Sequence, residues 1–247
     1  MHNNGMVTVI SLGGSIVAPA NGAPATGAPG GVAGGVDEQY LSDFSALIHS
    51  LLEEDEKRSF VFVVGGGGPA RAWQNAYRKI SGGAANDNEA DWIGIMATRL
   101  NAQLVKAVMA GYCNQDVVTD PSKAEALTGR VLVAAGWKPG FSTDYDAVLL
   151  AERYGAKMLI NLSNIEKVYT ADPKTDPGAR PLDSVSWADF RAMTGDEWVP
   201  GKNVPFDPVA SRHAEKIGLK VVCAGGKNIP NIKKILLGED FIGTVIG

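Results

Sequence analysis

VVGGGGPAR, residues 63–71, is the end of a buried-strand pattern that runs straight into four glycines, with an arginine at the start of a helical stretch. Glycine lets the backbone turn sharply and lets a ligand come close. A helix that starts there offers unpaired N–H groups and the positive end of its dipole to an anion, phosphate being the first choice. A tight strand-to-helix turn with no ligand has the same signature, so the surroundings must decide.

Working outward, strand-like and helix-like runs alternate. Upstream lie a first strand at residues 7–12, a second short glycine turn at Gly13, Gly14 and Ser15, and a helix in which Tyr40, Leu41, Phe44, Leu47, Ile48, Leu51 and Leu52 share one face. Asp37 stands where that helix needs an N-cap. Downstream, helix is expected over 71–80, 91–110 and 145–154, and strand over 117–119, 131–135, 157–162, 221–224 and 244–246. Such alternation predicts an α/β protein with a mainly parallel sheet. Residues 18–35 are almost wholly Ala, Gly, Pro and Asn, too poor in apolar bulk to pack, and read as a flexible insertion within one domain spanning 1–247.

The composition excludes several classes. A chain of 247 residues buries a substantial core without staples. Its two cysteines, Cys113 and Cys223, lack metal or redox spacing and read as free thiols of a reducing compartment, hence a cytoplasmic protein with no metal site of its own. No apolar run is long enough for a membrane span, and no signal-peptide pattern stands at the amino terminus. A net charge of -4 argues against a nucleic-acid-binding surface.

Three further stretches carry chemistry. In DWIGIMATRLNA (91–102), Asp91, Thr98, Arg99 and Asn101 are polar residues on an otherwise apolar helix, and Gly94 costs it about 1 kcal/mol relative to alanine. The glycine suggests close packing, while the polar side chains suit an ordinary solvated face. In GWKPGFSTDYDAV (136–148), Ser142, Thr143 and Asp144 arrive as a helix begins, where hydroxyls and N–H groups suit phosphate oxygens. An N-cap alone would need only one of them. In NLSNIEKVYTADPKTDP (161–177), which follows a strand, Tyr169 can lie against a planar base, and Asp172 and Pro173 shape a turn.

Taken in order, these four motifs resemble the amino-acid kinase superfamily, most closely its uridylate kinases of archaeal-like type, over nearly the whole chain. The resemblance implies a three-layer α/β/α sandwich around a mainly parallel, eight-stranded sheet. It also implies transfer of the ATP γ-phosphoryl group to UMP with Mg²⁺ on the donor, and a homo-oligomer, usually a hexamer. By the same resemblance, Gly65, Gly66, Gly67 and Arg71 bind the acceptor, with Asp91, Thr98, Ser142 and Thr143 around it. Gly13, Gly14, Asn164, Tyr169, Asp172 and Pro173 serve ATP. Asp144 and Asp207, the latter in GKNVPFDPVA (201–210), organise the transfer centre.

Two departures stand out. Many relatives carry a lysine where this chain has Ser11, so another cation must compensate; Lys202 is the first candidate and Lys227 the second. Where the family has Asp-Gly after the ATP-site asparagine and one apolar residue, this chain has Glu166 and Lys167, which removes an easy φ > 0 turn. Trp137, Lys138 and Phe141 are also bulky for an acceptor loop. The alternatives are a kinase of the same superfamily acting on another small acid or phosphate, such as isopentenyl phosphate or a phosphonate, and a non-catalytic nucleotide-binding storage or regulatory assembly.

Overall fold

The computed structural model describes residues 6–20, 35–197 and 204–247. The run MVTVISL becomes β1 (Met6–Leu12) and RSFVFVV becomes β2 (Arg58–Val64), paired in parallel with Leu12 opposite Val64. Both strands are almost continuously apolar because both of their faces are covered. Ile10, Leu12, Phe60, Phe62 and Val64 point into one core and Val9, Val61 and Val63 into the other.

On the first face pack α2 (Glu38–Glu54), α4 (Asp87–Val108) and α8 (Ile229–Leu237). The second carries α5 (Thr143–Tyr154), α6 (Trp187–Thr194) and α7 (Pro208–Lys216). The result is the expected α/β/α sandwich. Asp37 caps α2 as read from the sequence, its Oδ1 accepting from the Tyr40 N–H at 3.1 Å. Short α1 (Gly14–Val17) and α3 (Gly67–Ser81) lie beyond the ends of β1 and β2.

The remaining strands are β3 (Val131–Ala134), β4 (Met158–Ser163), β5 (Ser184–Val185), β6 (Lys220–Gly225) and β7 (Thr244–Ile246). Their order is β3-β2-β1-β4-β6-β7-β5, seven strands among the described residues where the resemblance implied eight. All pairings are parallel except β6 with β7. The strand expected over 117–119 reduces to one bridge, Val118 with Ala134. The pieces β5, α6 and α8 were not foreseen in the sequence.

This order places the site. The chain leaves β1 for β2 and β3 on one side, then returns to β4 on the other. The carboxyl ends of β1 and β4 therefore flank a topological switch point, where open α/β sheets bind ligands.

Candidate active site at the carboxyl edge of the sheet

The two glycine turns meet backbone to backbone. The N–H of Gly65 donates to Leu12 O at 2.9 Å, that of Gly68 to Ala18 O at 2.7 Å, and that of Gly13 to Leu162 O at 2.9 Å. A Cβ on Gly14 would stand 2.1 Å from Gly67 N, and one on Gly67 would stand 2.1 Å from Gly14 O. Gly67 also has φ +62°, a conformation that side chains resist. A Cβ on Gly66 would meet the Ala70 Cβ at 2.6 Å. Part of what the sequence suggested as room for a ligand is thus room for the other turn. Helix α3 begins at Gly67, four residues earlier than expected; Gly66 is its N-cap and offers no side-chain acceptor, and Arg71 is exposed in its first turns.

Helix α4 corrects the reading of a solvated polar face. Thr98 and Asn101 are buried, whereas the apolar Met96 and Leu100 are 51% and 69% exposed. Thr98 Oγ1 accepts from the Gly136 N–H at 2.8 Å, and Asn101 Nδ2 donates to Gly65 O at 2.8 Å and Gly66 O at 3.2 Å. Asp91 Oδ2 accepts from the Gly140 N–H at 3.0 Å. One helix therefore ties together the glycine turn after β2 and the loop after β3. Gly94 does pack closely: a Cβ there would lie 2.6 Å from Gln74 Nε2, the movable end of a side chain that donates to Ala90 O at 2.9 Å.

At the start of α5, Ser142 is the N-cap, accepting from the Tyr145 N–H at 3.2 Å, and Thr143 is half-buried beside it. Asp144 accepts from Ser11 Oγ at 3.1 Å and from the backbone N–H of Asp207. Ser11, at the position marked as a departure, thus contacts the acidic centre directly. Burial and the neighbouring Asp207 charge push the Asp144 carboxyl up to about 6, against the two hydrogen bonds. Asp207 is also the N-cap of α7, with Pro208 after it and its Oδ1 accepting from the Ala210 N–H at 2.7 Å.

Asp146, missed in the sequence, is fully buried; its Oδ2 accepts from the Trp137 N–H at 3.1 Å, and burial is the main cause that pushes its carboxyl up to about 7. The bulk of the 136–141 loop packs on itself. Trp137 lies tilted against Phe141 at 5.3 Å, Phe141 stacks on Tyr145 at 5.1 Å, and the Lys138 ammonium is 3.9 Å from the Trp137 ring centre.

Across the switch point, the Ser15 hydroxyl donates to Asn164 Oδ1, joining the ends of β1 and β4. In the sequence Ser15 reads only as the end of the second glycine turn, with no bonding role. Tyr169 is half-buried and bridges to Pro181. Asp172 and Pro173 are exposed, with Asp172 Oδ1 taking the Lys174 N–H at 2.9 Å in the expected turn. The chain passes Glu166 and Lys167 without positive φ, so the missing glycine leaves no strain there. Lys227 Nζ lies 3.0 Å from Asp37 Oδ2, while Lys202 falls outside the described residues.

The amino acid kinase family profile matches residues 6–225. A uridylate kinase from Methanocorpusculum labreanum is 33% identical over 97% of this chain and 94% of its own length. Another, from Hyperthermus butylicus, is 35% identical over 83% and 89%. Among solved structures, the uridylate kinase of Archaeoglobus fulgidus superposes with a TM-score of 0.77 at 33% identity, covering 98% of this chain and all of that one. The UMP kinase of Bacillus anthracis, at 21% identity and a TM-score of 0.72, shares the fold. A profile covering most of the sequence and near-full-length likeness to these proteins lead to one conclusion: the chain belongs to the amino acid kinase family, alongside the uridylate kinases of archaea.

Proposed function

We propose that this protein is a uridylate kinase, transferring the γ-phosphoryl group of Mg–ATP to UMP to give UDP and ADP. The observation that carries the reading is convergence: two interlocked glycine turns, the Ser11–Asp144–Asp207 cluster and the Ser15–Asn164 link all lie at the carboxyl edge of the strands flanking the switch point. The archaeal relatives named above give that edge its substrates. Neither another acceptor nor a storage role is favoured by any feature of the site.

An attacking UMP phosphate oxygen is already anionic, so the protein needs no strong base; it must align two phosphate chains and offset their charge. In this reading Gly65, Gly66, Gly67 and Arg71 hold the acceptor phosphate. Asp91, Thr98, Ser142 and Thr143 shape the rest of its pocket. Arginine suits the task through its bidentate fork. Gly13 and Gly14 face the ATP phosphates, and Asn164, Tyr169, Asp172 and Pro173 the remainder of ATP. Mg²⁺ arrives on the ATP phosphates as part of the substrate. Asp144 and Asp207 form an acidic pair that attracts the positive charge needed between donor and acceptor, and Lys202 is the proposed catalytic cation, with Lys227 as the second candidate.

The same reading makes the protein a cytoplasmic homo-hexamer. Two free, buried cysteines support the reducing compartment. A run of exposed apolar side chains on α3 and α4, Trp73, Ile80, Met96 and Leu100, supports assembly. No helix among the described residues is long and apolar enough to cross a membrane.

The test is product formation from Mg–ATP with UMP, CMP, GMP, AMP or buffer alone, with products identified by chromatography. UDP formed with UMP alone is expected; ATP binding with no product across the panel would overturn the reading.

A further inference from the structure

Asn101 joins two features not yet connected, the inverted face of α4 and the orientation of the glycine turn. Its side chain is 3% exposed, and its single amide nitrogen donates to two successive carbonyls, Gly65 O at 2.8 Å and Gly66 O at 3.2 Å. No cis peptide occurs among the described residues. In a planar trans peptide the C=O and the following N–H point in opposite directions. Drawing the carbonyls of Gly65 and Gly66 toward α4 therefore turns the N–H groups of Gly66 and Gly67 away from it.

What lies on that other side is Gly14. A Cβ at Gly14 would stand 2.6 Å from Gly66 N and 2.1 Å from Gly67 N, so only a residue without a side chain lets the turn after β1 come this close to those two nitrogens. The flanking N–H groups, on Gly65 and Gly68, are already spent on Leu12 O and Ala18 O. Two adjacent N–H groups turned to one side make a concavity for an anionic oxygen.

We infer that Asn101 is a positioning residue for the acceptor phosphate: from behind the glycine turn it sets the two peptide planes so that the N–H groups of Gly66 and Gly67 face that phosphate. This rests on the uridylate kinase reading and adds to it a residue that touches no substrate. A buried amide that only filled space would hold ATP, uridine and UMP sites alike.

The experiment compares wild type, Asn101→Asp and Asn101→Ala. Asn101→Asp keeps the shape and replaces the donor by an acceptor that repels both carbonyls. Affinities for UMP, uridine and Mg–ATP are measured by calorimetry below the melting temperature of each variant, together with kcat and KM. The expected result is at least a tenfold loss for UMP in both variants, seen in KM more than in kcat, with uridine and Mg–ATP within twofold of wild type. Equal weakening of all three ligands, or no change in any, overturns the inference.

A measurement on wild type alone guards against variants that do not fold. The glycine-labelled protein is titrated with UMP, uridine and inorganic phosphate, following the amide protons of Gly66 and Gly67. Downfield shifts with UMP and phosphate but not with uridine are expected; amides that ignore both phosphate-bearing ligands overturn the proposal. Amides that respond to phosphate while UMP gives neither binding nor product leave the orientation standing and sink the uridylate kinase reading instead.

Discussion

Three side chains concentrate the chemistry. Asp144 is held between Ser11 Oγ and the Asp207 N–H, and its carboxyl, pushed up to about 6, is fully charged only above that pH. We expect kcat to rise with pH through about 6 if the Asp144 anion is required, and a flat profile between 5 and 8 would refute this. The sign for stability is the reverse. Asp144 and Asp146 both bind protons more tightly folded than unfolded, so their contribution is full below about pH 4 and is lost as pH rises through about 6 and 7. Urea unfolding should therefore show stability falling from pH 5 to 8, and Asp146→Asn should flatten that slope; an unchanged slope would mean that Asp146 does not titrate in this range. Arg71, exposed in the first turns of α3, is expected to act on the acceptor alone. Arg71→Ala should weaken UMP by about 10- to 100-fold, the scale of hydrogen bonds to a charged group, and leave ATP unchanged. Equal losses for both would remove it from the acceptor loop.

Among the elements, the two strand-ending turns behave as one unit. Because a Cβ on Gly14 would lie within 2.6 Å of three backbone atoms of the other turn, Gly14→Ala must push the turns apart. We expect it to destabilise the fold by about 1–3 kcal/mol, as overpacking does, and to abolish turnover. Gly83→Ala is the control: nothing lies within 4 Å of a Cβ there and its φ is not positive, so its effect should stay within about 0.5 kcal/mol. Melting curves of the two variants separate packing from glycine content. The loop after β3 is held by α4 through Thr98 and Asp91 and by α5 through Asp146, so three helical side chains set its course.

For the whole molecule, the sheet order gathers motifs distant in sequence at one edge, while α3 and α4 leave apolar side chains facing outward. Ile80 at 85% and Leu100 at 69% exposure are costly for an isolated chain in water, which is why we expect them to be covered by further copies of it. Light scattering after size exclusion should give the mass of a hexamer for wild type, and Leu100→Asp or Ile80→Asp should yield smaller species. A monomeric wild type would rule out the assembly.

Much of this was readable from residues alone. Continuous apolar runs flanked by glycines mark β1 and β2, because a strand buried on both faces has no polar alternation to hide; the Asp37 cap follows from local hydrogen-bonding chemistry. What periodicity could not reveal was the face of α4. Spacing shows that Met96 and Leu100 lie apart from Thr98 and Asn101, but which side meets the sheet depends on partners far along the chain, and here Gly65, Gly66 and Gly136 recruit the polar side. The two-residue strand β5, the Ser15–Asn164 link and the burial of Asp146 are likewise long-range matters, in which contacts between distant segments outweigh local preference. Sequence by itself determined the long buried strands, the glycine turns that end β1 and β2 and the residue types available to the site; only tertiary structure decided which glycines answer to each other's backbone and which polar side chains are turned inward, because those contacts join segments far apart in the chain.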